Sequence, residues 1–349
     1  MLTPVSRVEI FMKKAFVITL FLSLFASLIF AQTAPKLNPP DALINEARLL
    51  LSQNQFREII QKLSGTDTPN ALYLLGVAHY RLGEHVKAIE ALNPAVSALA
   101  KESSAHKEAT QLLGMSHYIL GHLREAVPFL EQALAWSPSS IELAYALGMS
   151  AIQAQQEAKG RAAFAKMFRV AEDSPAAHFY AAQMMIRVEL NEQAEAELKQ
   201  ALSKNPNLPQ ANFLLGVIAI QKSNFDESVV FMQKEIALNP GNAMAFYRLG
   251  DAYTRQLKWD EAIPVLQKSV WLNPYFSGPY ILLGKSYLKK RELASAEGML
   301  RRAIQVDPNN KSAHYMLAQS YQQSGRTDEA KREFAIAEKL QGSNEQPEK

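Results

Sequence analysis

The sequence predicts an all-α protein made of antiparallel helix pairs stacked one on the next, and three observations lead there. In Ala243–Pro274 (AMAFYRLGDAYTRQLKWDEAIPVLQKSVWLNP), Leu249 and Tyr253 are spaced i, i+4 and Phe246 extends the same face, so one helix carries an apolar stripe. A small residue sits on that stripe and returns at Gly76, Gly114, Gly148, Ala182, Gly216, Gly250, Gly284 and Ala318, first after 38 residues and then every 34. A proline closes most units: Pro138, Pro206, Pro240, Pro274 and Pro308. The residue before proline is pushed out of the helical region, so each proline stops a second helix. One such pair cannot bury its apolar face alone, and its neighbours must cover it.

Taken in order, residues 1–31 read as an export signal. Lys13 and Lys14 precede the uncharged apolar run Ala15–Phe30, and Ala31 is a small residue before polar Gln32, where cleavage is expected. Met12 reads as the natural start. The alternative is an uncleaved inner-membrane anchor formed by residues 15–30, with the body facing the periplasm. Residues 32–40 form a proline-bearing linker. Residues 41–65 give an atypical first pair with Ala47 at the small position and Asn54 at the turn.

The regular units follow. Leu75, Leu113, Leu147, Leu215, Leu249, Leu283 and Leu317 precede the small residue, with Ala181 the exception. The second helices carry their own small residue at Ala88, Ala126, Ala194, Ala262, Ala296 and Ala330, replaced by Gly160 and Ser228 in two units. Asp260, ahead of Glu261 and Ala262, is expected to cap its helix. Pro94 falls inside a second helix, so a kinked or extended helix is expected there. The tail 342–349 is polar and expected to be disordered.

Composition excludes several classes. Cysteine is absent, which removes disulfides, thiolate metal sites and thiol catalysis. Of the net charge of +3, Arg7, Lys13 and Lys14 against Glu9 leave +1 on the rest, which argues against nucleic acid as the main partner. No HExxH, P-loop, GxSxG or GxGxxG motif occurs. His79, His117, His178 and His314 fall at packing positions and are assigned to the core. No catalytic, cofactor or metal site is expected.

The order W/F-x2-L-G-x2-Y, A-x3-F/L, P over roughly residues 41–341 resembles the tetratricopeptide repeat. The resemblance implies a right-handed superhelical solenoid of about eight full repeats plus the atypical N-terminal pair. It implies that the first helices line a concave wall. Positions three before, one after and four after the small residue would then face a groove. The candidates are Tyr73, Val77, Tyr80, Met115, Tyr118, Tyr145, Met149, Phe179, Phe213, Val217 and Tyr247. Val77, Met115, Met149 and Val217 are apolar where the family is usually polar, which predicts an exposed apolar stripe suited to an apolar or amphipathic segment. Toward the C-terminal end Arg248, Asp251, Arg255, Lys285 and Lys289 turn the groove polar and suited to a carboxylate. The Lys–Asn clamp of chaperone-tail-binding members is missing, since its positions hold Tyr73, Val77 and Leu112.

The functional expectation is a non-catalytic protein–protein interaction scaffold outside the cytoplasmic membrane, periplasmic or secreted. It would bind a protein or peptide segment, with membrane contact only through an uncleaved signal. The alternative is a structural or assembly component of an envelope, pilus or secretion complex that uses its convex face and ends.

Overall fold

The computed structural model describes residues 39–343, which form eighteen α-helices; no strand occurs among the described residues. The expected signal, the linker up to residue 38 and the tail beyond Ser343 lie outside them. Among the described residues no helix is long and apolar enough to cross a membrane. The chain divides into two compact units after Gln132.

The first unit holds α1 (Pro39–Ser52), α2 (Phe56–Leu63), α3 (Pro69–Arg81), α4 (His85–Ala98), α5 (Ser104–Ile119) and most of α6 (Leu123–Trp136). The second holds the end of α6 and six helix pairs. They are α7 (Ile141–Gln153) with α8 (Glu157–Phe168), α9 (Pro175–Arg187) with α10 (Asn191–Lys204), and α11 (Ala211–Gln221) with α12 (Phe225–Leu238). Then come α13 (Ala243–Arg255) with α14 (Trp259–Leu272), α15 (Ser277–Lys289) with α16 (Leu293–Val306), and α17 (Lys311–Gln323) with α18 (Thr327–Ser343). Helix α1 starts at Pro39, and proline is well tolerated in a first turn.

The recurrent small residue is where the two helices of a pair touch. Sixteen residues after it, on the second helix, stands a large side chain: Leu92, Leu130, Phe164, Leu198, Met232, Leu266 and Leu300, all fully buried. A Cβ added to Gly284 would lie 2.5 Å from Leu300 Cγ, and one on Gly216 would lie 2.7 Å from Met232 Cε. The third full repeat shows the rule by compensation. It has glycine on both helices, Gly148 and Gly160, and the larger Phe164 ring fills the added space at no exposure. Burying each such side chain is worth ~1.5–3 kcal/mol.

The turns repeat as faithfully. Seven residues after the small residue the backbone turns left-handed at Asn54, Gly83, Gly121, Gln155, Glu189, Ser223, Leu257, Arg291 and Gly325. The next amide reaches back five residues, as in Lys258 N to Tyr253 O at 2.9 Å and Arg326 N to Tyr321 O at 2.8 Å. This closes the first helix in the Schellman manner. Glycine would suit that φ, yet six of these nine positions carry a side chain. First helices begin on Thr68, Ser103, Ser140, Ser174, Asn242 and Asn310, whose side chains accept from the amide three residues on.

Two expectations need correction. Asp260 is not an N-cap: α14 already begins at Trp259, and the Asp260 carboxylate accepts from Lys290 Nζ at 2.7 Å, tying one repeat to the next. Lys222 with Glu192 and Glu195, and Gln256 with Asp226, make similar links between residues 27 to 30 apart. The long interval near Pro94 does not lengthen α4, whose 14 residues match its counterparts; three of the extra residues extend α5 to 16.

Leu249 is 4% exposed. Leu249→Ala should cost ~2–5 kcal/mol in urea unfolding. Gly250→Leu should cost ~1–3 kcal/mol by overpacking against Leu266. Leu257→Gly should stabilise by about 1 kcal/mol, because it removes a side chain from the left-handed turn. Three unmoved unfolding curves would refute this register.

Candidate protein-interaction surface

The register places the expected groove residues on successive first helices, but not all of them are open. In the first unit Tyr73 is 9%, Val77 1% and Met115 6% exposed. Val77 belongs to the core cluster with Leu74, Leu92 and Leu113. In the second unit Met149 is 7% exposed. The expected exposed stripe through Val77, Met115 and Met149 is therefore absent at those three positions. Neighbouring helices use the same face to pack, so apolar side chains there became core. Val217 is half-buried and packs on the cluster of Met232, Ala245 and Leu249.

Tyr73 is also committed elsewhere: its hydroxyl donates to Glu108 Oε2 at 2.6 Å. Burial, and then that carboxylate, push its phenol well above the usual range. Tyr80 and Tyr118 are half-buried, with the Tyr80 ring edge-on to His85.

In the second unit Tyr145 is exposed, and Phe179, Phe213, Tyr247, Arg248 and Lys285 are half-buried. Around α13, Tyr247 and Arg248 form a joined surface with Phe276. The Tyr247 ring meets Phe276 edge-on at 4.9 Å, and the Arg248 guanidinium lies 5.2 Å from the Tyr247 centroid. Burial raises the Tyr247 phenol, so it stays a neutral hydroxyl. Asp251 is 7% exposed and receives Arg255 Nε at 2.9 Å, so this carboxylate orients the arginine rather than facing a ligand.

One turn along the repeat, between α15 and α17, lies a polar cavity of about 310 Å³ lined by Lys285, Lys289, Met316, Gln319, Gln322 and Gln323. Neither lysine has a carboxylate within ion-pair distance among the described residues. Lys285, Lys289, Gln319 and Gln322 stand at or beside groove positions of the repeat register. Gln323 stands at the same register position as Lys289, and Met316 is the residue that carried no sequence signal.

The histidines are structural, as expected, but they do more than fill space. His178 is 4% exposed, with Nδ1 at 2.6 Å from Glu197 Oε2 and Nε2 at 3.0 Å from Asp173 Oδ1. Arg161 adds a 2.8 Å bond to Glu197. His314 repeats the device with Glu333 at 2.6 Å and Pro308 O at 3.0 Å. In both, partners 19 residues apart join the first helix to the second. His79 bonds Glu84 at 2.7 Å across its turn. His117 stacks on Phe129, and its Nδ1 is buried without a hydrogen bond. Burial first, and the nearby His122 second, lower its affinity for a proton.

A face of packed helical hairpins with aromatic, arginine and lysine side chains standing between them defines a repeat scaffold that recognises other proteins. Sequence profiles described as Tetratricopeptide repeat match residues 44–103, 108–140, 186–243, 245–274 and 287–345, well over half of the chain. The chain belongs to the tetratricopeptide repeat family. Among solved structures it is similar to MamA (residues 41 to end) from Desulfovibrio magneticus RS-1, with 23% identity and a TM-score of 0.47 over 50% of this chain and 98% of that one. It is similar to YrrB, described as a TPR protein with an unusual peptide-binding site, with 21% identity and a TM-score of 0.47 over 52% and 94%. The Cut9–Hcn1 hetero-tetramer of APC/C matches at 17% identity and a TM-score of 0.43 over 81% and 56%. No curated protein matches this chain.

His117 gives a pH signature. A ring whose folded proton affinity is depressed contributes stability above the unfolded pKa, near 6.5. That contribution is lost as pH falls through the window below it. His117→Tyr should therefore flatten the fall of the thermal melt between about pH 7 and pH 5. Parallel melting curves for the two proteins would contradict the assignment.

Proposed function

We propose that the chain is a non-catalytic scaffold that holds an acidic segment of a partner protein against the first helices of its second unit. The observation that carries this is the pair Lys285 and Lys289, without carboxylate partners, beside the polar cavity between α15 and α17. Glutamines 319, 322 and 323 can both donate to and accept from a peptide backbone there. Tyr247, Arg248 and Tyr145, on α13 and α7, supply flat contact area along the same face at low entropic cost. The helix pairs are already packed on their neighbours, so capture on this reading calls for little ordering of the receptor.

The reading places this work outside the cytoplasmic membrane. Its support is the basic start and apolar run of residues 13–31. Fractionation of cells expressing the full chain, with protease added to intact spheroplasts, tests it; a protected, cytoplasmic protein would reject export.

The binding test reverses charge at the cavity. In Lys285→Glu with Lys289→Glu, partners crosslinked in the envelope fraction should bind about tenfold more weakly or worse, with less dependence on salt. Lys289 is exposed, Lys285 is half-buried and neither is in an ion pair among the described residues, so the thermal melt should stay within about 3 °C of wild type. Undiminished capture with an unchanged salt dependence would overturn the proposal.

A further inference from the structure

The third helix pair of the second unit breaks the repeat register at its start. Helices α7, α9, α13, α15 and α17 each have 13 residues and start at the same register position. Helix α11 has 11 and starts two residues late. Pro209 occupies the expected start, but Gln210 after it is left-handed with φ of 66°, so the helix begins at Ala211. Beside the missing half-turn, between α10, the 205–210 loop and α12, lies a pocket of about 550 Å³. Asn212, 3% exposed, stands in its wall. The repeats on either side carry a larger ring at that register position, His178 and Phe246.

The lining is amphipathic in a definite direction. On α10 Lys199 comes three residues before Leu202, and on α12 Lys234 comes three and four before Ala237 and Leu238. Each helix therefore sets a lysine about one turn, roughly 5 Å, ahead of its apolar wall. As second helices of successive antiparallel pairs, α10 and α12 run the same way. Both lysines thus stand at one end of the pocket, and Leu202, Pro206, Ala237 and Leu238 at the other. No acidic residue lines it. Lys199 is held by Glu195 at 2.5 Å, whereas Lys234 has the Phe231 ring at 5.7 Å and no carboxylate within ion-pair distance among the described residues. No aromatic ring lines it either, so it offers no face on which a nucleobase would stack. Leu238 remains 41% exposed, so the apolar wall is open.

We propose that this pocket binds a straight-chain fatty acid. The alkyl chain lies against Leu202, Pro206, Ala237 and Leu238, and the carboxylate meets the ammonium of Lys234. Each end of the ligand answers one end of the pocket. The apolar walls favour a chain without polar groups, because a polar group placed there would lose its water. The lysines select an anion over an alcohol, since a charged acceptor makes the stronger hydrogen bond. An alkylammonium would meet two like charges. The site shares no residue with the cavity at Lys285 and Lys289 and does not depend on it.

The test titrates the intact chain with monomeric octanoate, decanoate and dodecanoate by calorimetry. Affinity should rise about fourfold for each methylene buried. Decanoate should bind about tenfold more tightly than 1-decanol, the size of one charge-assisted hydrogen bond. Lys234→Glu should erase that preference and leave decanol unaltered, whereas Leu238→Gln should weaken decanoate and decanol alike. Both residues are exposed, so neither change should disturb the fold, and the thermal melts check this. Lys285→Glu with Lys289→Glu should leave fatty-acid binding unaltered, so the two sites fail or hold separately. Equal binding of decanoate and decanol, an affinity indifferent to chain length, or Leu238→Gln without effect would each overturn the proposal. So would no binding of monomeric decanoate at millimolar concentration, even with the protein sedimenting on phospholipid vesicles.

Discussion

Each repeat depends on one steric fit, a small side chain on the first helix facing a large one sixteen residues later on the second. It sets how closely the two helices approach, and so which other side chains can reach the interface. Gly250 against Leu266 and Gly284 against Leu300 are tight enough that even one extra carbon would displace the partner. Interiors packed to this density have discrete solutions, not a continuum. The third full repeat satisfies the constraint by another route, with two glycines and one phenylalanine. In that repeat a larger ring fills the space that a second glycine leaves.

The turn is the second fixed element, and it is fixed by backbone geometry. A left-handed residue seven positions after the small one ends the first helix and aims the second. That most of these residues are not glycine shows how far tertiary packing overrides local preference. The strain of a left-handed Leu257 or Arg291 is offset by the contacts that the turn makes possible on both sides. Beyond the hairpins, bridges such as Lys290 to Asp260 join neighbouring repeats at the surface, where solvent screens them. The buried links, His178 to Glu197 and His314 to Glu333, lie inside the pairs.

The proposed recognition surface is what this packing leaves over. Positions whose side chains are small or apolar are drawn into the stack, as Val77, Met115 and Met149 are. Long cationic and amide side chains at the same register keep their heads in water and remain available. This is why the polar end around α15 and α17 offers a cavity while the apolar positions do not. The departure at Pro209 acts through the same logic in reverse, because a shortened first helix leaves space that the stack does not fill.

The sequence by itself determined the periodic part. Small residues at a constant interval, leucines beside them and prolines after them specify helix pairs, their boundaries and their stacking, since each signal acts within a few residues. It also marked which helix face carries the candidate groove. Only the tertiary structure decided which of those face residues stay open, because burial depends on a helix 34 residues away. The same holds for Asn212, an unremarkable polar residue in the sequence that folding placed in the wall of a pocket.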